Sequence, residues 1–263
     1  MSIELISVSC PSPELIPSMR SLWKEAFGDV DEALDAFFVT AFAPERCRVF
    51  ADGNEVLGAL YIFDCELKNK KIAYIYAVAT KKSARGQGIA KNLLDDTHRY
   101  LARKGYAGAI LVPGEPSLFA FYEKLGYEIC SQIGELETAA SNTEIYVKKI
   151  EKAEYMSKRR EYLPENGVVQ ENCNVDFLAT YASFYKGDNF LLAAYKSDTK
   201  LRGVELLGDT DNAPAILRAL GCEKGFFRVP LQNSPTVKLR PFAMYCPFDK
   251  TAPAPEYFGI AFD

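Results

Sequence analysis

Histidine is nearly absent from this chain. The single one, His98, follows Thr97 in a helical stretch and falls on the side away from Ile89, Leu93 and Leu101, a solvated face, which leaves no imidazole for a Ser-His-Asp triad. The seven cysteines (10, 47, 65, 130, 173, 222 and 246) are scattered, odd in number and never in CxxC spacing. That pattern argues against a disulfide framework, a zinc site or any other metal site, and it suits a reducing cytoplasm. No uninterrupted apolar run approaches the length of a membrane span. The first twenty residues, MSIELISVSCPSPELIPSMR, lack the basic start of a secretory signal and are broken by Glu4, Pro11 and Glu14. A net charge of -4 leaves no overall nucleic-acid footprint. What remains is an ordinary globular composition, 48% hydrophobic and 25% charged over 263 residues, enough for one large or two small domains.

Residues 72–94, IAYIYAVATKKSARGQGIAKNLL, read as strand, glycine turn and helix. Ile72, Tyr74, Tyr76 and Val78 alternate with the small Ala73, Ala77 and Ala79, as in a buried strand with one closely packed face. After KKSARGQG, the residues Ile89, Leu93, Leu94, Thr97 and Leu101 recur at helical spacing. The turn therefore sits at a helix N-terminus, where unpaired N–H groups favour an anion and glycines let it come close to the backbone. Lys81, Lys82, Arg85 and Lys91 add positive charge with no acidic residue among them. Position 91 is lysine, so the turn is not the GxGxxG of a dinucleotide fold, and no GK[ST] follows to make a P-loop. A glycine-rich turn alone serves plain strand-to-helix connections as readily as ligands.

The spacing that does fit is RxxGxA, filled by Arg85, Gly88 and Ala90 and preceded by Val78-Ala79-Thr80. It resembles the acetyl-CoA-binding motif of the GNAT superfamily of acyl-CoA N-acyltransferases, and the downstream FYEKLGYE is similar to the tyrosine-bearing segment of that superfamily. The resemblance implies an α/β (α+β) fold, a mixed and mostly antiparallel sheet flanked by helices. Acetyl-CoA would be the co-substrate, with the pyrophosphate held by Arg85, Gly86, Gln87, Gly88, Ile89 and Ala90. The backbone at Val78 and Thr80 would serve the pantetheine and the carbonyl. A V-shaped opening between the strands at Val78 and Leu111 would admit the pantetheine arm, and Pro113 with Gly114 stand where many relatives use a polar residue.

Taken in order, the chain opens with two helices across 15–42, broken at Gly28 and Asp29. A hairpin (46–51 and 56–67) then turns at Asp52-Gly53-Asn54-Glu55 and leads to the glycine stretch. A buried strand (107–113), a short helix beginning at Pro116, and closing strands over 133–150 complete a first unit, 1–150. The charged stretch 151–163 reads as a connector with a solvated helix face. Residues 175–185 read as a helix, followed by a hairpin (189–195 and 201–207), a helix (213–220) and strands near 225–229 and 240–247. FLLAAYKSDTKLRGVELLGD parallels RVFADGNEVLGALYIFD, but Gly208-Asp209-Thr210-Asp211 puts acids where a phosphate would sit. An unrelated α+β extension is the other reading of this half. The arrangement resembles bacterial tandem acyltransferases, including Eis relatives, with a second, smaller, degenerate GNAT-like domain at 151–263.

Acyl transfer to an amine needs a neutral amine, a polarised carbonyl and a proton for the departing thiolate. The family proceeds by direct attack, so Cys65 and Cys130 are not read as nucleophiles. By resemblance to the family Tyr122 is the candidate acid; its place on an apolar stripe, taken alone, favours core packing. Glu66, Tyr76 and, by resemblance to Eis, Asp263 are alternative bases. The expected function is transfer of an acetyl group from acetyl-CoA to a primary amine of a small molecule or peptide, with a homo-oligomer possible and no membrane or nucleic-acid partner. A non-catalytic acyl-CoA sensor or scaffold is the alternative.

Overall fold

The computed structural model describes residues 8–231 and 237–262. Two helices, α1 (Ile16–Phe27) and α2 (Asp31–Thr40), come first, and Gly28 at φ 75° closes α1 by returning its N–H to the Lys24 carbonyl. Strands β1 (Cys47–Asp52), β2 (Glu55–Leu67) and β3 (Lys70–Thr80) form a meander, and α3 (Ile89–Arg103) crosses over to β4 (Gly108–Leu111). Next are α4 (Phe119–Glu123), β5 (Glu128–Ile129), β6 (Gln132–Ala139), β7 (Lys148–Ile150) and α5 (Lys152–Tyr162). The chain continues through β8 (Val169–Gln170), α6 (Cys173–Leu178), β9 (Ser183–Lys186), β10 (Phe190–Ser197), β11 (Lys200–Gly208) and α7 (Ala213–Ala219). It ends with β12 (Lys224–Val229), β13 (Lys238–Pro241), β14 (Met244–Pro247) and an extended tail.

Two mostly antiparallel sheets result. One runs β1-β2-β3-β4-β14-β5 with β8 on β2, and the other β13-β6-β12-β11-β10-β9-β7. In the first, β3 and β4 are parallel across α3; in the second, β11 and β12 are parallel across α7. The second half therefore repeats the order of the first. The last strands are exchanged: after β5 the chain enters the second sheet as β6, against β12, and after β13 it returns to the first as β14, between β4 and β5. Strands expected to close the first sheet thus lie in the second. Alternation of apolar residues reports that a segment is a strand, not which edge it joins. The stretch expected as one helix over 175–185 divides into α6 and β9, parted at 179–182.

The apolar face of α3 packs on β2 at Gly58, where an added Cβ would stand 2.8 Å from the Ile89 side chain. A second layer, built on Trp23, Phe37, Tyr61 and Phe63, fills the other face of the first sheet. Two expectations about solvated faces are corrected. Arg159 on α5 is buried against Glu205, because β11 supplies a buried carboxylate that a sequence window cannot show. His98 is largely buried, its Nε2 2.8 Å from the Tyr127 hydroxyl, because the segment after β14 lays Phe248 over that side of α3. Among the described residues no helix is long and apolar enough to cross a membrane.

Burial draws the His98 imidazole down from 6.5 to about 4, against the opposing pull of Asp95. A base whose folded value lies below its unfolded value resists protonation in the fold, so its contribution is intact above 6.5 and is lost as pH falls toward 4. Urea midpoints measured across that window should fall more steeply for the native chain than for His98→Gln; parallel slopes would contradict the assignment.

Candidate active site

Only two residue pairs, Ala73 with Ala109 and Tyr74 with Ile110, join β3 to β4. Beyond them β3 continues to Thr80 while β4 stops at Leu111, so the strands part and leave a cleft open to a cavity of about 1200 Å³. One wall is β3 from Tyr74 to Val78, and the facing wall is the segment 111–116. At the mouth of the split β3 carries a bulge: Ala79 pairs with Ala59 and Tyr76 with Tyr61, so Ala77 and Val78 together oppose Leu60. Ala77 sits at φ 49°, a left-handed conformation uncommon for a residue with a side chain. A bulge leaves backbone groups outside the ladder and turns the strand. Here those groups belong to cavity-lining residues. The strict alternation read from the sequence fails at this point, and with no glycine there was no signal for it.

The strand leads into the glycine loop without a break. Gly86 and Gly88 both adopt φ 78°, and a Cβ on either would meet nothing within 4 Å, so the loop's outer side is open. Arg85, Gly86, Gln87 and Gly88 are exposed, Ile89 is buried as the loop's anchor, and Ala90 is partly covered in the first turn of α3. Of the nearby cations, Lys81 pairs with Glu55 and Lys91 with Asp95, whereas Lys82 and Arg85 form no ion pair among the described residues. Arg85 Nε donates to the Thr80 carbonyl at 3.3 Å, which folds the guanidinium back over the loop. The Thr80 hydroxyl is buried with no hydrogen-bond partner among the described residues. These features fit an anionic ligand with an extended arm, as coenzyme A is. In the second half the equivalent turn is filled from within, since Asp209 accepts the Asp211 N–H at 3.1 Å. Its first helical turn is thereby satisfied by the chain's own carboxylate.

Tyr122, on α4, lines the cavity at 7% exposure and borders Phe121 and Tyr127. Burial pushes its phenol up to about 12, so it is a proton donor at neutral pH. Val78 and Tyr76 also line the cavity; Thr80 does not. Glu66 is not brought there: it sits near the far end of β2, 3.7 Å from Arg160. Asp263 lies outside the described residues, but Ala261 and Phe262 just before it are in the cavity wall. Cys65 is buried away from the cavity, and burial raises its thiol and that of Cys130, the latter to about 12, so neither is a thiolate at neutral pH. The sequence reading missed the wall supplied by the second sheet, where Arg202, Arg228 and Arg240 line the cavity. Their only signal was arginine recurring in otherwise apolar strand runs.

Residues 11–130 match the model of the acetyltransferase (GNAT) domain. Among solved structures, a GCN5-related N-acetyltransferase from Kribbella flavida superposes with a TM-score of 0.72 at 16% identity, covering 92% of this chain and 71% of that one. One from Anabaena variabilis gives 0.68 at 15% identity (91% and 72%), and Eis1 from Mycobacterium abscessus 0.66 at 13% (92% and 74%). No curated protein matches the sequence significantly.

The bulge gives a direct test of the strained residue. Because a β-branched side chain suffers most in the left-handed region, Ala77→Val should cost about 2 kcal/mol in urea unfolding while Ala77→Gly stays within about 0.5 kcal/mol. Equal losses for both would contradict the bulge geometry.

Proposed function

We propose that this chain, whose residues 11–130 match the model of the acetyltransferase (GNAT) domain, transfers the acetyl group of acetyl-CoA by direct attack to a primary amine of a small molecule or peptide. The observation that carries this reading is continuity: the open, cationic glycine loop runs into a cleft between parted strands, and a protonated phenol waits in the cleft wall. Acetyl-CoA supplies the thioester carbonyl. Lys82, Arg85 and the N–H groups at Gly86 to Ala90 bind its phosphates; Val78, Thr80 and the bulge orient the arm along β3. Burial keeps the Tyr122 phenol protonated at neutral pH, and its O–H is directed to the sulfur as acid when the C–S bond breaks.

In this reading the first unit, 1–150, carries the cofactor, and 151–263 shapes the acceptor end. The base belongs to that end, where Tyr76 and Phe262 meet at 5.5 Å between ring centres. Asp263, one residue beyond Phe262, is the preferred candidate because a carboxylate accepts an ammonium proton more readily than a neutral phenol does. Seven free cysteines suit a cytoplasmic setting.

Thiol release from acetyl-CoA over a panel of amines tests the proposal. Release should depend on the amine, and Tyr122→Phe should lower kcat about 10²-fold with the acetyl-CoA KM unchanged. Binding without release for any acceptor would make the protein a sensor, and unaltered turnover in Tyr122→Phe would remove its role as acid.

A further inference from the structure

The least solvent-exposed polar cluster of the described chain lies outside the cavity. Arg159 and Glu205 form a two-pronged pair, Nε to Oε2 at 2.7 Å and Nη2 to Oε1 at 2.9 Å, with exposures of 2% and 0%. Tyr155 and Tyr257 donate to the two carboxylate oxygens at 2.8 and 3.0 Å, so Glu205 accepts four bonds. Burial, reinforced by the Glu205 charge, holds both phenols well above their ordinary range, so both remain donors. Arg159 also donates to the Val168 carbonyl at 3.1 Å and to Gln170 Oε1 at 3.4 Å. Such a pair is a poor source of stability, because desolvating two charges offsets most of their attraction. Its value lies in what it fixes.

What it fixes is the tail. Gln170, on β8 beside Cys65 of the first sheet, uses its side-chain amide as a strand would: Nε2 donates to the Ile260 carbonyl at 2.5 Å, and Oε1 accepts the Ile260 N–H at 3.0 Å. The Val168 N–H holds the Tyr257 carbonyl at 2.8 Å, and Arg228 Nη1 reaches the Ala261 carbonyl at 3.4 Å. Between them, Gly259 passes so close to the carboxylate that a Cβ there would stand 1.6 Å from Glu205 Oε1. Only glycine lets the tail cross at that depth. The next residues are Ala261 and Phe262, and Phe262 packs 4.9 Å from Phe177 and from Phe63 in the aromatic wall.

We propose that Gln170, locked by the buried Arg159–Glu205 pair, is a positioning residue that sets the acceptor wall of the cavity through residues 257–262. None of Gln170, Arg159 and Glu205 lines the cavity or the glycine loop, so they act on acceptor use and not on acetyl-CoA binding. The effect on acceptor rests on the acetyltransferase reading; the placement of the tail does not.

The test uses the full chain with Gln170→Leu, which keeps volume and removes both amide bonds, and with Gly259→Ala, which acts on the same crossing from the other side. Hydrogen exchange should speed up in the peptide spanning 257–262 and stay unchanged in β1 to β4. Acetyl-CoA affinity should hold within about two-fold, while kcat/KM for the most active amine falls about ten-fold or more. Deleting 260–263 also removes Asp263 and should lower kcat/KM at least as far, with Gln170→Leu adding nothing to that loss. Unchanged exchange in the tail, a parallel fall in acetyl-CoA affinity, or additive losses would overturn the proposal. If the native chain bound no acetyl-CoA, the exchange result would still decide whether the cluster holds the tail, and only the acetyltransferase reading would fail.

Discussion

Everything near the cavity depends on how briefly β3 and β4 are joined. Parallel strands held by two residue pairs and then released leave backbone that must be satisfied by something other than a ladder. The chain manages this on both sides. On β4, the outer edge is taken by β14 arriving from the far end of the sequence. On β3, the bulge at Ala77 and Val78 turns the strand before it reaches the glycine loop. An open cleft is thus built into the first sheet, and the loop after β3 carries Lys82 and Arg85, which form no ion pair among the described residues.

The second half completes the cavity without duplicating it. Its sheet repeats the order of the first, including the parallel pair across a helix, yet its turn is filled by Asp209. Exchange of β6 and β14 makes each sheet depend on the other half of the chain, so the arginine-bearing face of the second sheet is held opposite the cleft. The tail then closes the remaining side, tied to β8, β11 and α5 together. Polar contacts at this depth contribute less to stability than to selecting one arrangement of these parts.

The glycine loop of the candidate site was legible in the sequence, because its signals are local. Arg85, Gly88 and Ala90 carry a spacing, and Gly86 and Gly88 do adopt the left-handed conformation such a turn needs. The helices and hairpins of the first half follow from periodicity and turn residues. What stayed hidden depends on partners distant in sequence. Arg159 looks like one charge among many on α5 until Glu205, 46 residues away, is placed beside it. The stretches 133–150 and 240–247 read as strands, yet nothing in their composition reveals that each divides in two, as β6 with β7 and as β13 with β14, or which sheet each piece enters. Glu66 lies in sequence close to the strand that lines the cavity, but β2 is 13 residues long and carries it to the opposite end.

One acetyl-CoA site is proposed for the chain, formed by the first glycine loop and the parted strands. Calorimetric titration of the native chain with acetyl-CoA tests it most directly. One equivalent should bind per chain, with affinity falling as salt is raised because phosphate recognition is electrostatic. No binding, or two equivalents per chain, would contradict it.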